Sequence, residues 1–103
     1  MVQVQNSQVS FGPLSGSGPR VTTTTVTMTP PVSQATAFLT GFILQFSGGD
    51  DHHLGQLDVQ VEVPPGGING PTVTVKVTYG LRDWSDGWDD QYDGRVDFAV
   101  IGE

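Results

Sequence analysis

Asp83, Asp86, Asp89, Asp90 and Asp93 put five of the chain's eleven acidic residues within eleven positions, and Trp84, Trp88 and Tyr92 lie among them. Residues of these types can do two kinds of chemistry. Carboxylates accept hydrogen bonds from paired hydroxyls while an indole face covers the apolar side of a pyranose ring and excludes water, which is what a saccharide site requires. The same aspartates could supply several of the roughly six to eight oxygen ligands that calcium takes. On the saccharide reading the candidates are Asp83, Trp84, Asp86, Trp88, Asp90 and Tyr92, with the three rings recurring every fourth residue. On the calcium reading they are Asp83, Asp86, Asp89, Asp90 and Asp93, although the spacing is not that of an EF-hand loop. A plainer reading stands beside both: the tryptophans plug one end of the fold, and the aspartates form a solvated turn whose repulsion Arg82 and Arg95 partly offset.

A second polar cluster is Gly48-Gly49-Asp50-Asp51-His52-His53. Adjacent histidines and aspartates suggest zinc, but neighbouring side chains on an extended chain point to opposite faces, so adjacency does not make ligands converge. A polar turn is the bland alternative, and hydrogen bonding of Asp50, Asp51 or His53 to a sugar or a neighbouring subunit is a third reading. His53 therefore joins the saccharide candidates. A non-catalytic protein is expected. The chain has no nucleophile elbow, no phosphate loop and no zinc-protease helix. Paired carboxylates can hydrolyse glycosides, but a small sandwich offers little depth to enclose a sugar and raise one carboxyl pKa.

The elements that must position these residues are strands. In Leu57-Asp58-Val59-Gln60-Val61-Glu62-Val63 every second residue is apolar, and Val73-Thr74-Val75-Lys76-Val77-Thr78-Tyr79 repeats the pattern, so each segment sets one face on a core and one in water. Between them, residues 64–71 are almost all turn formers, which predicts an antiparallel hairpin with a long loop. Val2 to Phe11, Val21 to Met28, Ala37 to Phe46 and Val96 to Ile101 complete six predicted strands. No stretch carries helical periodicity with start and stop signals, and the β-branched content opposes helix. Residues 14–19 form a loop, and Pro30-Pro31 interrupts the next connection. The expected architecture is all-β, a six-stranded antiparallel β-sandwich.

At 103 residues the chain can bury one core, so residues 1–103 are expected to form a single domain. A net charge of −7 repels duplex nucleic acid and anionic membrane surfaces. Without cysteine there is no disulfide or thiolate metal site. No apolar run approaches the roughly 20 residues of a membrane helix, and the first residues lack the pattern of a signal peptide, so no membrane insertion is expected and a cytoplasmic location or non-classical secretion fits. In the segment from Ala37 to Phe46, Phe38, Phe42, Leu44 and Phe46 oppose Leu39 and Ile43, so both faces read as apolar. Either the strand is covered on both sides within one chain, or a second subunit covers one face.

A threonine-rich strand and proline turn ending in Val32-Ser33-Gln34-Ala35, then Phe38-Leu39-Thr40-Gly41-Phe42, Leu57 to Val63, Val73 to Trp88 and a closing Val96 to Glu103 together resemble the H-type lectin domain. The resemblance covers roughly Val21 to Glu103. It implies a six-stranded antiparallel sandwich, assembly into a homo-oligomer that is a trimer or hexamer, and binding of galactose or N-acetylgalactosamine. Asp83-Trp84 matches the family's Thr-Trp pair, which makes Trp84 the sugar-facing tryptophan. Asp58 or Gly55 stands in the region where the family carries a sugar-gripping arginine.

Two functions are thus expected from different classes. One is a carbohydrate-binding lectin-like module for a galactose-type or related glycan, needing no cofactor and gaining avidity by oligomerisation. The other is a non-catalytic structural or assembly domain whose acidic loop binds calcium or a protein neighbour.

Overall fold

The computed structural model describes residues 1–14, 18–47, 53–84, 88 and 91–103. These residues contain seven strands and no helix: β1 (Gln3–Leu14), β2 (Arg20–Thr27), β3 (Ala35–Phe46), β4 (Leu54–Glu62), β5 (Ile68–Asn69), β6 (Thr72–Asp83) and β7 (Tyr92–Gly102). The count is seven rather than six because the segment read as one long turn holds β5, two residues paired with the start of β6. Its Pro64 and Gly67 close a turn through a Gly67 N–H to Pro64 carbonyl bond of 2.9 Å.

Two antiparallel sheets form the sandwich. One has the order β1-β7-β3; the other has the order β2-β6-β4, with β5 on the side of β6. The predicted hairpin between the two alternating segments is present as β4 against β6, with Val59 opposite Tyr79 and Val61 opposite Val77. In β6 the alternation is complete. Val73, Val75 and Val77 have no exposed surface, while Thr74, Lys76 and Thr78 face outward. Each buried valine gives about 1.5 to 3 kcal/mol by leaving water.

Both central strands are buried and all four edges are less so, because each sheet has only one strand with neighbours on both sides that also faces the opposite sheet. Val96, Phe98 and Val100 of β7 meet the β6 valines in the core. At one end, Met28 and Val32 close that core, and Ser33 and Gln34 bond the carbonyl of Glu103. At the other end lie the last residues of β1, β3 and β6.

Apolar residues do cover both faces of β3, with a phase change. An irregularity between Leu39 and Gly41 inserts an extra residue, so Leu39 opposite Phe98 and Phe42 opposite Val96 point inward, while Phe38 opposite Ala99 and Ile43 opposite Arg95 point outward.

Candidate functional site

Trp84 follows the last residue of β6 and is held where β6 meets the start of β4. Its backbone N–H donates to the His53 carbonyl at 3.0 Å, which extends the β4–β6 ladder by one bond. Gly55 makes this approach possible, because a Cβ there would overlap the Asp83 carbonyl and come within 2.8 Å of the Trp84 Cα. The backbone is thus fixed while the indole stays in water: Trp84 is 73% exposed. The His53 imidazole stands edge-on to it, ring centroids 6.5 Å apart. Two of the predicted saccharide residues, His53 and Trp84, are therefore neighbours in space although thirty-one positions apart in sequence.

Trp88 is placed differently. It lies against Gly80 on the outer face of the second sheet, where a Cβ on Gly80 would come 2.8 Å from the ring's Cζ3 and 3.0 Å from the Pro19 Cα. Arg82, two residues along the same outward row, sets its guanidinium 5.8 Å from the centre of the Trp88 ring. The same guanidinium donates to Gln56 Oε1 at 3.4 Å and to the Asp83 carbonyl at 3.3 Å. Trp88 is half-buried.

Tyr92, expected beside the tryptophans on the surface, is 2% exposed and belongs to the core. As the first residue of β7 it points inward, in step with Val96, Phe98 and Val100. There it joins Phe11 and Tyr79 around Arg20. The Phe11 and Tyr79 rings stack at 3.9 Å, and Tyr92 meets Phe11 edge-on at 6.1 Å. The Arg20 guanidinium lies 5.1 Å from the Phe11 and Tyr79 ring centres and 4.4 Å from that of Tyr92. Its Nε donates to the Tyr92 hydroxyl at 3.2 Å and its Nη2 to the Tyr92 carbonyl at 3.1 Å. A cation among three rings closes this end of the sandwich. Plugging, which the sequence reading allowed for the tryptophans, is the work of these rings instead.

Asp93 is also turned away from the tryptophans. Facing outward on the three-stranded sheet, it accepts from Ser47 Oγ at 2.7 Å and from Gln45 Nε2 at 2.8 Å. Those two bonds, Ser47 first, hold its carboxyl below the usual aspartate range. Asp83 is at the end of β6, across from Leu54. Asp86 and Asp90, candidates for the sugar and for calcium, and Asp89, a candidate for calcium, lie outside the described residues, as do Asp50, Asp51 and His52. Among the described residues no three His, Cys, Asp or Glu side chains are grouped to hold a metal.

Reading the sequence alone missed Arg20, Gly55, Gly80 and Gln56. Strand parity was the available signal for Arg20, which precedes Thr22, Thr24 and Val26 on the inward row of β2. Gly55 and Gly80 had no local signal, since what they make room for is distant in sequence.

The chain matches no family model, no curated protein and no solved structure.

Proposed function

We propose that the chain is a non-catalytic, carbohydrate-binding, lectin-like module whose saccharide stacks on Trp84. The observation that carries this reading is an indole left 73% exposed on a backbone locked into the sheet. A large ring kept wet gains nothing for the fold, and fixing its backbone beforehand lowers the ordering cost of stacking a sugar on it. His53 offers an imidazole edge beside the indole, and Asp83 a carboxylate on the preceding residue. The glycan is of the galactose or N-acetylgalactosamine type, the class implied by the resemblance of this segment to H-type lectin domains. Single sites with so little enclosure bind weakly, and a homo-oligomer displaying several of them gains avidity.

Glycan-array binding with competition by free galactose and N-acetylgalactosamine tests the proposal. Capture that competes, and that disappears in a folded Trp84→Ala variant, is the expected result. Unchanged capture by that variant, or no capture by the wild-type protein on a densely substituted surface, would overturn it.

A second reading, a structural or assembly domain, is favoured by a different observation. The outer face of the three-stranded sheet exposes Val4, Phe38, Ile43 and Ile101, more apolar side chains than a solvated sheet face needs. Calcium on the acidic loop belongs with this reading. A melting temperature that rises with calcium and falls with chelator would support it.

A further inference from the structure

We propose that β3 is a pairing edge, and that its occupant is the β3 strand of a second copy of this chain, joined antiparallel so that the two three-stranded sheets become one. This inference is independent of what Trp84 binds.

Exposure along β3 points to the edge rather than to either face. Phe38 and Ile43, which face outward, are 49% and 52% exposed, and Leu39 and Phe42, which face inward, are each 41% exposed. A partner laid on the outer face would cover the first two and leave the second two wet. A strand added at the edge brings side chains alongside all four, because a paired strand contributes neighbours to both faces of the sheet at once.

Edge strands are usually guarded by charge, proline or brevity, since their free N–H and C=O groups template pairing with another chain. β3 is twelve residues long and has no charged residue and no proline. The other edges are guarded: β1 contains Pro13, β2 begins with Arg20, and β4 carries Asp58 and Glu62. β3 has one guard, the bulge between Leu39 and Gly41. Because the extra residue reverses the phase, an antiparallel register across the bulge keeps like faces together when it sets Phe38 against Ile43 and Leu39 against Phe42 of the second copy.

Two arguments identify the occupant as another β3. A strand edge is self-complementary under a two-fold axis, because antiparallel pairing exchanges the same N–H and C=O groups in both directions. Charge narrows the choice of edge. All eleven acidic residues lie between positions 50 and 103, so β1, β2 and β3 carry none, and of these three only β3 has neither proline nor arginine. Two copies each carrying −7 meet with least repulsion where neither is charged.

Light scattering on the purified chain at high micromolar concentration tests this. An even-numbered assembly is expected, in the simplest case of twice the 11.0 kDa chain mass. Ile43→Lys, a charge on the edge strand at a position already facing water, should return the mass to one chain with an unchanged circular dichroism spectrum. Val4→Lys, on the same outer face but on β1 at the far edge, should leave the assembly intact. Hydrogen exchange on the wild-type protein checks the same point without mutation: β3 amides should gain protection as concentration rises, while those of β1 and β2 should not. A single chain mass at high concentration, an odd-numbered assembly, an intact assembly in Ile43→Lys, or concentration-independent exchange in β3 would each overturn the proposal. Dissociation by Val4→Lys as well would assign the contact to the sheet face and also overturn it.

Discussion

The Trp88 ring rests on Gly80 with no room between them for a methyl group: a Cβ there would sit 2.8 Å from Cζ3. Gly80 lies on the outward row of β6 between Thr78 and Arg82, so the glycine makes room for an indole against the sheet. Glycine costs strand stability through backbone entropy, and here it makes possible the contact with Trp88.

Gly80→Ala should displace the indole and lower stability by about 1 to 3 kcal/mol, the usual range for overfilling a packed site. Urea unfolding measures the loss, and tryptophan fluorescence should report a wetter ring. In a Trp88→Ala background the same substitution should cost less, leaving Pro19, with its Cα at 3.0 Å and its Cβ at 3.1 Å, to resist the new methyl. Equal costs in both backgrounds would show that Trp88 does not sit there.

Trp84→Ala should behave in the opposite way. A side chain 73% exposed contributes little to packing, so its removal should change unfolding free energy by no more than about 0.5 kcal/mol. Truncating a tryptophan buried in a core costs about 3 to 5 kcal/mol. Urea unfolding of the variant separates the two, and a large loss would make Trp84 part of the core rather than a binding surface.

How far the sequence reveals this molecule depends on whether the relevant contacts are local. Alternation in residues 57–63 and 73–79 predicts the central hairpin because period-two patterning is itself the burial pattern of a strand. On β3 the same counting groups Phe38 with Phe42, and the structure separates them, since an extra residue at the bulge reverses the phase and nothing in the sequence marks it. Tyr92 is grouped with the tryptophans by spacing alone. Its parity with Val96, Phe98 and Val100 would have placed it inside. Two residues of the candidate site, His53 and Trp84, come together only through the β4–β6 ladder, a non-local contact invisible to motif spacing.

Arg20 should prove more important to stability than a partly exposed arginine usually is. Arg20→Ala removes a cation from among three rings and leaves the Tyr92 carbonyl without that donor, so a loss of about 2 to 4 kcal/mol is expected in urea unfolding. Arg20→Lys should recover only part of it. An ammonium keeps the charge but cannot lie flat on a ring while its fork bonds both the Tyr92 hydroxyl and carbonyl. Full recovery by lysine would reduce the arginine's role to charge alone.

Asp93 should make stability depend on acid in a predictable direction. Hydrogen bonds from Ser47 and Gln45 lower its carboxyl pKa in the folded chain, so the folded state holds this proton less tightly than the unfolded state does. Stability from this group is therefore fully present above the unfolded value, about 3.9, and is lost as pH falls through the lower folded value. Carboxyl resonances followed by NMR should show Asp93 titrating below the ordinary aspartate value. Ser47→Ala, which deletes the first of the two donors, should move that titration upward and flatten the acid limb of the stability curve. Melting curves of Asp93→Asn should lose the same portion of the pH dependence, whereas an unchanged acid limb in both variants would assign it to other carboxylates.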